Sequence, residues 1–161
     1  MFNFLKKSSI ELYSPASGKS VCIEDVPDKI FSEKMLGDGF AVLPNDNKIY
    51  APIGGTVTMI ANTKHAIGIK TKSGIEVLIH IGLDTVNYMG KGFKLNVKQG
   101  DNIKRGEFIV EFDKDFFEKE NVNTVTMVVI TNSNEFNITK LPMNEFISRD
   151  DIILKCQKKN N

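Results

Sequence analysis

Apolar runs in this chain are short, and turn-forming residues close nearly every one. Val21-Cys22-Ile23, Phe40-Ala41-Val42-Leu43, Thr56-Val57-Thr58-Met59-Ile60, Phe108-Ile109-Val110-Glu111-Phe112, Thr126-Met127-Val128-Val129-Ile130 and Ile152-Ile153-Leu154 each have strand length. Clusters of Gly, Pro or Asn-Asp fall between them. Many short strands at close spacing predict an all-β chain, an antiparallel sandwich or barrel. Two patches interrupt the pattern as short helical turns. Residues 28–35 stop before Gly37, a natural helix terminator, and residues 113–119 open on Asp113, a good N-cap.

At 161 residues the expectation is one domain with a real core. It divides into a flexible arm over 1–10, a single domain over 11–155 and a tail over 156–161. No apolar run reaches the ~20 residues of a membrane-spanning helix. The stretch Met1-Phe2-Asn3-Phe4-Leu5-Lys6-Lys7 reads as a frayed terminus in preference to a weak interfacial anchor. Pro15-Ala16-Ser17-Gly18 and Pro52-Ile53-Gly54-Gly55 share Pro-x-x-Gly just before a strand, a faint internal echo. The double-glycine segment 97–106 reads as a tight turn between strands, of a kind also found in lipoyl-type barrels.

The two histidines flank one hairpin. Ile67 and Ile69 alternate before Thr71-Lys72-Ser73-Gly74, and Ile75, Val77 and Ile79 alternate after it. If Lys72-Ser73 is a two-residue loop, Thr71 faces Gly74, and counting back places His65 opposite His80. Directly opposed side chains sit about 4.5–5.5 Å apart at Cβ. Two imidazoles that close can share one small anion or one metal ion. A three-residue loop closed by a left-handed Gly74 would instead pair His65 with Ile81 and send the rings to opposite faces. The first register is preferred, because the second separates the only two histidines.

Composition narrows the function. Hydrophobic residues make up 41% and charged residues 25%, as in ordinary soluble domains. A net charge of +1, without Trp or an aromatic-studded basic patch, argues against nucleic acid. Cys22 and Cys156 have no metal or redox spacing and read as buried thiols in a reducing cytosol. A third histidine or a His-x-His pair is missing, which weighs against a zinc hydrolase. Lys64 is in the wrong context for a lipoyl or biotinyl carrier.

Several segments together resemble a family. They are Pro52-Ile53-Gly54-Gly55-Thr56, Thr63-Lys64-His65-Ala66 and Leu78-Ile79-His80-Ile81-Gly82-Leu83-Asp84-Thr85-Val86. Ile23-Glu24-Asp25-Val26-Pro27-Asp28, the segment 31–39, Gly90-Lys91-Gly92-Phe93 and Val128-Val129-Ile130-Thr131-Asn132 join them. The chain is similar over residues 12–154 to the glucose-type enzyme IIA of the bacterial phosphoenolpyruvate-dependent sugar phosphotransferase system. The resemblance implies a cytoplasmic phosphocarrier with an antiparallel β-sandwich fold; the oligomeric state is left open, with a monomer preferred. His80 would accept a phosphoryl group from the histidine-containing phosphocarrier protein and pass it to a cysteine on the IIB domain of a sugar permease. His65 would stabilise the group, and Thr63 would orient His65.

Around that pair the resemblance places Asp38 and Asp84, which also read as turn and cap residues. Phe40, Ile60, Ile67 and Ile81 are candidates for an apolar docking rim, though each taken singly reads more readily as core. No cofactor is required. A carboxylate from a partner, with water, would complete a zinc site on His65 and His80. The alternative is a regulatory module that docks on transporters or kinases through the same surface after losing transfer.

Overall fold

The computed structural model describes residues 8–160, so the readings of residues 1–7 lie outside the described residues. The chain forms β1 (Ile10–Tyr13), β2 (Gly18–Cys22), α1 (Lys29–Ser32), β3 (Asp38–Pro44), β4 (Lys48–Tyr50), β5 (Gly55–Ile60), β6 (Ala66–Lys70) and β7 (Glu76–Ile81). It continues through β8 (Phe93–Leu95), β9 (Asn102–Ile103), β10 (Phe108–Phe112), α2 (Lys114–Lys119), β11 (Thr126–Ile130), β12 (Phe136–Lys140), β13 (Phe146–Ile147) and β14 (Ile152–Lys158). All strand pairs are antiparallel. An open eight-stranded sheet runs in the order β13-β2-β3-β11-β7-β6-β5-β9, beside three-stranded sheets β1-β14-β12 and β4-β10-β8. This is the antiparallel sandwich with short helical turns that the sequence predicts, and it does not close into a barrel.

Period-two alternation decides which side chains enter the core. Phe40, Val42, Ile67, Ile69, Ile79 and Val128 leave one face of the large sheet. They form a single buried cluster with Leu12, Leu154, Ile49, Val110, Phe112 and Phe93 from the smaller sheets. Each such side chain contributes roughly 1.5–3 kcal/mol of burial. The opposite face at the sheet's centre is also covered. Ala41, Met127 and Val129 are buried there under Ile23, Val26 and Phe31, from the segment between β2 and β3. Strand β11 is therefore buried at every position, as befits a strand with both faces covered.

The Pro-x-x-Gly echo has a structural counterpart. Tyr13 N–H donates to the Pro52 carbonyl at 3.0 Å, and Tyr50 N–H donates to the Pro15 carbonyl at 2.8 Å. The guanidinium of Arg105 lies 4.0 Å over the Tyr13 ring, and that of Arg149 lies 3.9 Å over Tyr50. The two motifs thus brace each other reciprocally.

Four expectations need correction. First, the hairpin takes the three-residue loop. Thr71 N–H donates to the Ile75 carbonyl, Gly74 has φ 92°, and β6 pairs with β7 as Ala66↔His80 and Ile67↔Ile79. His65 is therefore opposite Ile81, whose N–H donates to the His65 carbonyl at 2.8 Å. The Gly74 left-handed turn and the Thr71 hydroxyl, which accepts from Ile75 N–H, favour this loop. Second, Phe40, Ile67 and Ile81 are at most 1% exposed, because alternation points them into the main core, so they form no docking rim. Ile60 is half-buried against the same core. Third, Cys22 is exposed at the end of β2, and only Cys156 is buried. Fourth, β14 runs through Lys158, past the expected boundary at 155, because β12 pairs with it as far as Phe136↔Lys158.

Candidate active site: two facing imidazoles

The central sheet sets His80 by register. Val21, Ala41, Met127, His80 and Ala66 are successive cross-strand partners on β2, β3, β11, β7 and β6. Directly opposed residues share a face, so His80 emerges on the face covered by the smaller cluster. Its neighbours in the row are the flexible Met127 and the one-methyl Ala66. The small Ala66 leaves one flank of the imidazole open, and the His65 ring lies there, centroid to centroid 4.8 Å at 77°. Phe31 lies edge-on at 4.9 Å and 60°. Asp28 caps α1 by accepting from Ile30 N–H, and that short helix carries Phe31.

The rings meet even though the register opposes them, because His65 lies just before β6 and only its carbonyl, accepting from Ile81 N–H, joins the pairing. It is the last residue of the loop between β5 and β6, closed by Ala61 N–H donating to the Ala66 carbonyl at 3.0 Å. Lys64 takes φ 61° within that loop. Alternation governs extended backbone and lapses in a turn, so the face of His65 is set by the loop.

The hydrogen bonds fix the chemistry of both rings. His80 Nδ1 lies 3.0 Å from the Gly82 carbonyl oxygen. A carbonyl can only accept, so Nδ1 carries the proton and Nε2 presents a lone pair. Thr63 Oγ1 lies 2.6 Å from His65 Nδ1, the contact that the family resemblance implies. Thr63 makes it from the turn before β6 and not from a strand face. His65 is 8% exposed and His80 half-buried.

Burial lowers the His80 pKa to about 4, and the nearby His65 ring adds to the effect. The bond to Gly82 and the charge of Asp28 oppose it. Burial also holds His65 below the usual imidazole range, and the Thr63 backbone, as an acceptor for the ring, acts in the opposite direction. The His80 ring is neutral at pH 7, and burial favours the neutral form of His65 as well. The same shift has a stability consequence. The folded His80 value lies below the ordinary 6.5, so the unfolded chain binds the proton more tightly. The stabilisation is whole above about pH 6.5 and is lost as pH falls towards about 4. It amounts to at most about 3 kcal/mol. Urea unfolding between pH 7 and pH 4.5 should show this loss, and His80→Gln should flatten the slope; equal slopes would contradict the assignment.

Not every residue singled out in the sequence comes to this point. Asp38 belongs to an ion-pair network: its Oδ1 lies 2.7 Å from Lys140 Nζ and 3.6 Å from Lys34 Nζ, and Lys34 also pairs with Glu24 at 3.0 Å. The carboxylate whose charge reaches His80 is Asp28. Asp84 is exposed, in a left-handed conformation with φ 59°, at the head of the turn 85–88. That turn is anchored by Tyr88, edge-on to Phe116 and Phe117 of α2 at 5.7 and 5.5 Å.

Exposed apolar side chains occur on the segment that carries Phe31 and on the turn after Asp84, and elsewhere at Leu43, Met59 and Phe146. Ile30 and Met35 are 46% and 68% exposed beside Phe31, and Val86 and Met89 are 49% and 87% exposed after Asp84. Sequence reasoning missed these, along with Phe31 and Asp28. The available signal was apolar residues in segments with no strand partner to bury them. Among the described residues no group of three or more His, Cys, Asp or Glu side chains could hold a metal ion. No helix among them is long and apolar enough to cross a membrane.

Comparison with known proteins identifies relatives of this chain. Residues 10–136 match the family model described as phosphoenolpyruvate-dependent sugar phosphotransferase system, EIIA 1. The chain is 47% identical over 127 residues to the PTS system glucose-specific EIIA component of Halalkalibacterium halodurans, covering 79% of this chain and 73% of that one. It is 39% identical over 153 residues to the component of the same name in Haemophilus influenzae, covering 95% and 92%. It is 45% identical over 143 residues to the PTS system glucose-specific EIICBA component of Staphylococcus carnosus, covering 89% of this chain but only 21% of that longer protein. Among solved structures, glucose permease IIA from Mycoplasma capricolum superposes with a TM-score of 0.83 at 35% identity, covering 96% of this chain and 99% of the other.

Proposed function

The chain belongs to the EIIA 1 family of the phosphoenolpyruvate-dependent sugar phosphotransferase system, and from that premise we propose that His80 carries its phosphoryl group. The observation that supports this most is the bond from His80 Nδ1 to the Gly82 carbonyl. It leaves Nε2 unprotonated, aimed away from its backbone anchor and beside a second imidazole.

The step balances without acid–base chemistry. The Nε2 lone pair attacks the phosphorus of the donor's phosphohistidine. A new N–P bond forms as the donor's N–P bond breaks, and that electron pair returns to the donor imidazole. In the next step a thiolate on the IIB domain attacks the same phosphorus. The S–P bond forms, and the N–P electron pair returns to Nε2. Such transfers depend on in-line positioning and charge stabilisation. The depressed pKa of His80 keeps the nucleophile neutral at pH 7. The Thr63 hydroxyl can donate to Nδ1 of His65; in that tautomer the ring proton is on Nε2, where it can donate to a phosphoryl oxygen.

The partners follow from the family. The histidine-containing phosphocarrier protein donates and a IIB domain accepts, both docking over Ile30, Met35, Val86 and Met89 around the half-buried His80. The same surface suits regulated transporters or kinases. The two imidazoles supply two nitrogen ligands, so a partner carboxylate and water would complete a zinc site there. The free thiols Cys22 and Cys156 suit a cytoplasmic location.

Incubation with phosphoenolpyruvate and the general phosphotransferase proteins should place one acid-labile phosphate on each chain. His65→Gln should still take up phosphate but pass it on at least tenfold more slowly. A variant that delivers phosphate at the parent rate would remove His65 from the mechanism.

A further inference from the structure

The nucleophile is aimed by a backbone carbonyl, and a carbonyl is only as well aimed as its peptide. We propose that Thr85 is a positioning residue for phosphoryl transfer, holding the peptides on either side of Gly82 so that the Gly82 carbonyl receives the His80 proton. This rests on the reading of His80 as the phosphoryl acceptor.

The peptide joining Ile81 to Gly82 is held at both polar ends. Thr85 Oγ1 donates to the Ile81 carbonyl at 2.6 Å, and Gly82 N–H donates to the Val125 carbonyl at 2.9 Å. The next peptide carries the acceptor itself. Its Leu83 N–H donates to the Asn123 carbonyl at 2.9 Å, while its Gly82 oxygen takes the His80 proton. Gly82 has φ 77°, which only a residue without Cβ adopts freely, so these planes have unusual freedom to rotate. Thr85 limits that freedom in two ways. Its hydroxyl fixes the first plane, and its methyl stands where a Cβ on Gly82 would come within 2.5 Å. At 1% exposure, Thr85 is shielded from solvent, so losing its hydroxyl leaves the Ile81 carbonyl without this donor. The segment cannot simply swing away either, because Tyr88 three residues on is wedged against Phe116 and Phe117.

A hydroxyl that merely capped the turn 85–88 would affect stability alone. A positioning hydroxyl also affects the imidazole it serves. Two readouts separate these roles: the tautomer of His80 from its ring 15N shifts, and the rate of phosphoryl uptake. Thr85→Val keeps the shape and removes the donor. It should give a mixed His80 tautomer and about tenfold slower uptake, equivalent to about 1.4 kcal/mol. Thr85→Ser keeps the donor and should hold the parent tautomer, with a rate within about twofold. If Thr85→Val does not fold, Thr85→Ala is read against Thr85→Ser in the same way. A parent-like tautomer in the variant lacking the hydroxyl overturns the proposal, whatever the rate. If the unsubstituted protein takes up no phosphate, the His80 assignment fails instead, and the 15N tautomer still decides the part played by Thr85.

Discussion

His80→Gln is expected to abolish phosphoryl uptake, with labelling falling by more than about 10³-fold while the fold is retained. The amide of glutamine has a donor that can reach the Gly82 carbonyl, so the local hydrogen bond can be replaced. It has no basic nitrogen lone pair, so no N–P bond can form. The scaffold should tolerate the change. His80 is half-buried at the end of β7, and the substitution removes a ring that burial holds unprotonated. Circular dichroism should be unchanged, and the melting temperature should shift by only a few degrees. Substantial label on a folded His80→Gln protein would place the acceptor elsewhere.

Gly82→Ala should have the second largest effect, and it acts on fold and site together. At φ 77° an alanine sits in the left-handed region, at a cost of roughly 1–2 kcal/mol. Its Cβ would lie 2.5 Å from the Thr85 methyl and 3.2 Å from the Asn123 carbonyl oxygen. Relieving that overlap costs about another 1–3 kcal/mol. The relief can come only by turning the peptide that presents the acceptor to His80, so uptake should fall at least tenfold as well. Thermal unfolding should drop by roughly 5–15 °C. A Gly82→Ala protein with the parent's melting temperature and uptake rate would show that this turn is not held as described.

Much of the fold is legible in the residues, and the illegible part has identifiable causes. The short apolar runs became strands β2, β3, β5, β10, β11 and β14, the alternation around Thr71–Gly74 became β6 and β7, and Asp28 and Asp113 cap the two helices as their chemistry suggests. The strands β4, β8, β9 and β13 have two or three residues each, too few for a period to show. Helix α1 is shorter than residues 28–35 suggest, because the chain already turns left-handed at Lys34, with φ 57°.

The site was legible for a reason other than the one the spacing offered. The hairpin register favoured from the sequence is not the one formed, yet the two imidazoles meet. A periodic pattern carries information along extended backbone. It carries none into the loop where Lys64 reverses the chain and delivers His65 to its partner. The docking surface was misread by the same rule. Phe40, Ile67 and Ile81 lie on strands, where apolar residues turn inward. The exposed apolar residues Ile30, Met35, Val86 and Met89 lie outside the strands, in short helical and turn segments where no period-two alternation marks them. The contact of Phe31 with His80 joins segments far apart in the chain, and no local pattern announces it.

One measurement bears on the whole account: the position of phosphorus in the phosphorylated protein, read by 31P–15N coupling after labelling from phosphoenolpyruvate. The coupling should run to Nε2 of His80, with the proton still on Nδ1. Coupling to Nδ1 of that ring, or to either nitrogen of His65, would contradict it.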